Sequence, residues 1–137
     1  MPIDYEIDSQ LGTTFVSWRG LVGRDEFVVH VRRLLADPAW PPRHARHLCD
    51  LRSATLDQSI DAAVLAEAAA LYGTHPKIAT LRVAIVAGEA FEHAVIFERF
   101  LSQYRAATIA FNTLETACTW LGMDPEHAAD ALSGLAR

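Results

Sequence analysis

The sequence predicts an α/β protein: a mixed sheet of four to five strands that opens with an N-terminal β-hairpin, carrying four helices and a short C-terminal helix. Three observations lead there. The first twenty residues hold two strand-like stretches and no helical period. From Gly23 onward, apolar residues recur at helical spacing in blocks that alternate with short apolar runs. One of those runs, "LRVAIVAG" at residues 81–88, is apolar on both faces apart from Arg82. Such a strand belongs in a sheet covered by helices on each side. Strand, helix, strand units then pair in parallel through right-handed crossovers.

Each element has a local reason. Ile3, Tyr5 and Ile7 alternate with Asp4, Glu6 and Asp8, the period of an edge strand with one wet face, and this strand is the antiparallel member. After a turn at Gly12, the β-branched and aromatic run from Thr13 to Trp18 forms the second strand and closes at Gly20. Phe27, Val28, Val31, Leu34 and Leu35 then line one side of a first helix. It ends near Asp37, because Pro38 disfavours helical geometry in the residue before it.

"PAWPP" is a stiff connector and "HLCDLR" a short strand. A second helix runs from Ser59 to about Tyr72, with Ile60, Val64, Ala68 and Leu71 on one stripe and Gly73 and Pro76 at its end. Residues 89–104 form a third helix, 106–111 a strand and 113–121 a fourth helix, with Asn112 as N-cap and Gly122 as stop. A last helix spans Asp124 to Leu135 and is interrupted near Gly134.

At 137 residues the chain suits one domain, drawn as residues 1–122 with a helical tail, 123–137, packed on it or on a partner. A 51% hydrophobic and 21% charged composition is that of a folded protein. Net charge is −5 and the arginines are scattered, which argues against nucleic acid and anionic membranes as partners. The start, "MPIDYEIDSQ", is acidic where a secretory signal would be basic and then apolar, and no run is long enough to span a bilayer. The expected location is the cytoplasm, without stable membrane association. Cys49 and Cys118 are expected as buried free thiols.

The densest chemistry is "PPRHARHLCDLRS", residues 41–53. On a strand His47 and Cys49 share one face, Leu48 and Asp50 the other. With His44 reaching round, three zinc ligands are conceivable, but neither CxxC nor HExxH spacing supports them. The competing reading, an ordinary core strand, is preferred, so no metal and no cofactor are assigned. Ligands of open parallel sheets bind beyond the strand C-termini. That rim should hold Gly20, Asp50, Arg52, Ser53, Gly88, Glu89 and Asn112, unless Asp50 and Arg52 merely satisfy each other. No nucleophile, base and orienting group occur together, so no enzyme is expected.

"LLADPAWPP" after the first helix, "CDLR", "RVAIVA", and the closing Phe111, Leu114, Glu115, Ala117, Trp120, Leu121 and Gly122 resemble small bacterial members of the STAS and CRAL-TRIO-like group. This is the SpoIIAA-like fold of the anti-sigma-factor antagonists, and the likeness covers residues 3–122. It implies a non-enzymatic regulatory or interaction domain acting by protein contact. In the antagonists, a serine in an Asp-Ser-Ser string at the start of the second helix is phosphorylated. The equivalent residues are Asp57, Gln58 and Ser59, and glutamine has no hydroxyl to accept a phosphoryl group. Helix capping by Asp57 or Ser59 is therefore preferred to a phosphoswitch.

The third helix is apolar beyond the width one sheet face needs, with Phe91, Phe97, Phe100 and Tyr104 among its large side chains. Three covers suit it: the tail helix, a second copy in a homodimer, or a lipid-like ligand of the kind the CRAL-TRIO likeness implies. The ligand-binding alternative to the protein-contact reading uses this helix and the strand rim.

Overall fold

The computed structural model describes residues 2–136. Strands β1 (Ile3–Asp8), β2 (Thr13–Val22), β3 (Arg46–Leu56), β4 (Arg82–Val86) and β5 (Ala107–Phe111) form one sheet in the order β1-β2-β3-β4-β5. The first pair is antiparallel and the other three are parallel. Helices α1 (Arg24–Ala36), α2 (Ala62–Gly73) and α3 (Phe91–Ser102) cover one face, while α4 (Leu114–Leu121) and α5 (Pro125–Leu135) cover the other. A short 3-10 turn, Ile78–Thr80, precedes β4.

Two strands outrun their expected ends. β2 continues past Gly20 to Val22, and β3 runs on to Leu56, because the two remain paired beyond the last residue of β4. A bulge makes this work. Ser17 pairs with Asp50 and Arg19 with Ser53, so Leu51 and Arg52 together stand opposite Trp18. The extra residue resets the alternation, and Leu51, Ala54 and Leu56 all reach the face under α1 to α3.

Helix starts also differ from expectation. α2 begins at Ala62, capped by Asp61, whose side chain accepts from the Val64 N–H at 3.0 Å. α4 is capped by Thr113, which accepts from the Thr116 N–H, and Asn112 stands outside it, exposed. Gly122 ends α4 in the left-handed region, φ 75°. α5 follows its Asp124 cap without a break at Gly134 and packs on β2, β1 and α4. Among the described residues no helix is long and apolar enough to cross a membrane.

Candidate functional site

The sheet face under α1 to α3 does not close completely. Between it and the helices lies a pocket of about 60 Å³ lined almost entirely by apolar atoms. His47, Cys49 and Leu51 of β3 form its floor, because alternation along the strand sends all three to this face. Trp18 comes from β2, Phe27 and His30 from α1, Trp40 from the connector, Tyr72 from α2 and Phe97 from α3. Leu56, His93 and Phe97 line the pocket and keep partial exposure, which marks its mouth.

Aromatic rings build the walls. Trp40 meets Tyr72 at 5.7 Å and His47 at 6.0 Å between centroids, and its Nε1–H donates to His47 Nδ1 at 3.3 Å. Trp18 lies 5.1 Å from Phe27 and 6.2 Å from His30, and Phe97 touches both Phe27 and Tyr72 edge-on. Several polar groups here have no protein partner. The Trp18 Nε1–H is buried without an acceptor. His30, the Tyr72 hydroxyl and the second nitrogen of His47 make no hydrogen bond to any described residue.

Burial sets the protonation of these groups. It pulls His47 down to about 3, with a smaller push from neighbouring His30. It pulls His30 down to about 4, aided by the Arg33 charge and opposed by Asp4. It drives the Cys49 thiol up to about 12, with Asp50 adding to the shift, and raises the Tyr72 phenol. At neutral pH the inner part of the pocket therefore holds His30 and His47 as neutral imidazoles, Cys49 as a thiol and Tyr72 as a phenol.

A measurable consequence follows for the cysteines. Both thiols are free, but only Cys118 is fully buried; Cys49 is half-buried where it faces the pocket, which departs from the expectation of two buried thiols. With burial raising both, on the order of one Cys49 in ten thousand is thiolate at pH 8. Iodoacetamide should leave the native protein unlabelled at Cys49 and Cys118 and label both in urea, read by intact mass. Native labelling at the rate of a free thiol would contradict the burial described here.

The other singled-out residues sit elsewhere. His44 lies on the connector above Gly12, so close that a Cβ there would stand 2.5 Å from the imidazole, whereas His47 points into the pocket. Among the described residues no three His, Cys, Asp or Glu side chains gather to hold a metal. Asp50 and Arg52 project from the opposite face and pair through two side-chain contacts of 2.9 and 3.0 Å. Glu89 accepts from the Thr55 hydroxyl at 3.0 Å, and Ser53 is exposed on the β2–β3 extension. None of Asp50, Arg52, Ser53, Glu89 and Asn112 lines the apolar pocket. Gly20 lies inside β2, not at a strand end, because the bulge prolongs the pairing.

Asp57, Gln58 and Ser59 form a turn that serves α1, not α2, which corrects the expected cap. Ser59 Oγ accepts from the N–H of Arg24, the first residue of α1, at 2.9 Å. The Ser59 hydroxyl and N–H in turn donate to Asp57, which holds that carboxyl below its ordinary range. Gly23, the residue before α1, supplies no side-chain cap, and a Cβ there would stand 2.9 Å from Asp57 Oδ2. The cap thus comes from a distant loop. Gln58 is exposed.

Phe91, Phe97, Phe100 and Tyr104 are half-buried against the larger core. Tyr104 lies on Gly73, where a Cβ would stand 2.4 Å from its ring. α5 packs on the other side of the sheet, so the tail does not cover α3.

Sequence reasoning passed over His30, Trp40 and Tyr72. His30 shares the stripe of Phe27, Val31 and Leu34, so helical spacing alone marks it as inward-facing. Nothing local reveals that Trp40 and Tyr72 converge on His47.

No family model matches this chain, and no curated protein matches it significantly. Among solved structures it is similar to an uncharacterized protein of the DUF3478 family with a SpoIIAA-like fold from Shewanella loihica. The two share 16% identity with a TM-score of 0.54 over 87% of this chain and 93% of that one. With its antiparallel opening pair, parallel remainder and helices on both faces, this chain has the SpoIIAA-like fold.

Proposed function

We propose that this domain works by holding a compact apolar small molecule between its sheet and α1 to α3, and that it performs no chemistry of its own. The observation that carries the reading is the pocket itself: apolar walls around the buried, unpartnered Trp18 Nε1–H and further polar groups of His30, His47 and Tyr72 that bond to no described residue. Small-molecule sites have this character, mostly apolar with a few polar groups that fix orientation. The chemistry of the lining supports a binding role over catalysis. Its inner imidazoles, His30 and His47, are poor bases and the Cys49 thiol is protonated, so neither a ready base nor a nucleophile is at hand on the pocket floor.

Thermal unfolding against a panel of five- to seven-carbon apolar molecules tests this. A ligand at tenfold its dissociation constant adds about 1.4 kcal/mol, a rise of roughly 5 °C in a domain of this size. Ala94 is buried and lines the pocket. Ala94→Phe should fill the space and abolish the response. A panel without any shift in the unsubstituted protein would remove the proposal.

A second reading, regulatory contact through a homodimer or another protein, draws on the fold and on α3. This helix buries only Ala94 and Leu101 fully and is left uncovered by α5. Sedimentation equilibrium at micromolar concentration tests the homodimer directly, a monomer counting against it.

A further inference from the structure

Resting on the pocket reading above, we propose that the ligand presents a neutral hydrogen-bond acceptor, a carbonyl oxygen on a compact apolar body, to His47 and Tyr72. The two side chains flank the same Trp40 ring and both line the pocket. His47 Nδ1 is occupied as an acceptor from Trp40, so the proton of the neutral ring sits on Nε2. That Nε2–H and the Tyr72 O–H are donors with no acceptor among the described residues, in side chains only 4% and 7% exposed.

The lining is biased toward donors. Among the described residues, Trp18 Nε1–H is a third donor without an acceptor, and no carboxylate is in the lining. An ammonium group would find only neutral acceptors, such as the free nitrogen of His30, and no carboxylate as counter-charge among the described residues. A carboxylate would be buried where, among the described residues, neither lysine nor arginine lines the wall, and desolvating it there is costly. A carbonyl satisfies the donors without bringing a charge.

Size adds a second constraint. A cavity of about 150 Å³ is what benzene occupies in a known apolar case, and this one is smaller, so the wall must yield for a ring to enter. Phe97 is the part placed to do so, half-buried at the mouth on a helix with few fully buried residues.

Cyclohexanone and methylenecyclohexane have nearly the same shape and differ in the acceptor, so titrating the whole protein with each isolates the proposed contact. Cyclohexanone should bind at least ~10-fold more tightly. Tyr72→Phe keeps the ring and breaks no protein hydrogen bond, and it should reduce that preference severalfold while leaving methylenecyclohexane binding intact. In the unsubstituted protein, the His47 Nε2 resonance should shift with the ketone and not with the alkene.

Equal binding of the two probes would overturn this inference and leave the pocket reading standing. Tighter binding of cyclohexylamine or cyclohexanecarboxylate than of the ketone would overturn it too. Binding of none of the four, with only ordered water in the pocket, would overturn both.

Discussion

Acidification from pH 7 to pH 5 is expected to destabilise this protein by on the order of 4 kcal/mol, through His30 and His47. Both are buried as neutral rings, and burial lowers them to about 4 and about 3. In the unfolded chain each titrates near 6.5. As pH falls through that value the unfolded state takes up protons that the folded state refuses, so the loss begins there. It grows by about 1.4 kcal/mol per pH unit for each ring until the folded values are reached. The histidine contribution is therefore complete above about pH 7 and runs down between about pH 6.5 and pH 3. Urea midpoints at pH 7 and pH 5 measure it. A double His30→Phe, His47→Phe variant should flatten the dependence, and an unsubstituted protein equally stable at both values would refute it.

Trp40→Ala should lower stability by about 4 kcal/mol, the usual range for deleting a buried aromatic ring, and the melting temperature by roughly 15 °C. The indole is 3% exposed and meets Tyr72, His47 and His75 at centroid distances of 5.7, 6.0 and 5.2 Å. Its removal also strips His47 Nδ1 of the N–H that donates to it, which adds about 1 kcal/mol. Trp40→Phe separates the two contributions. It keeps an aromatic ring and loses the N–H, so it should cost about 1–2 kcal/mol. A Trp40→Ala protein within 1 kcal/mol of the original would mean that the ring does not support the pocket wall.

The pattern of success follows the range of the forces involved. Alternation at Ile3 to Asp8, helical spacing from Phe27 to Leu34 and the two-sided apolar run at β4 are local, and each matches an element of the structure. Boundaries set by pairing were not legible. β3 reaches Leu56 because β2 continues beside it, and the bulge opposite Trp18 has no signature in either strand alone. For the same reason the local pattern at Asp57 and Ser59 points to the wrong helix: they serve α1, not α2. A cap is recognised from neighbours along the chain, and this one acts across 35 residues.

By itself, then, the sequence determined the order of elements, the mixed sheet and the inward course of the strand that carries Cys49, since these rest on periodicity and local sterics. Only the tertiary structure decided that Trp40, His47 and Tyr72 share one pocket, that Asp50 and Arg52 lie on the opposite face, and that the tail helix leaves α3 uncovered. Those outcomes depend on which helices cover which face of the sheet, and that is chosen by packing between residues far apart in the chain.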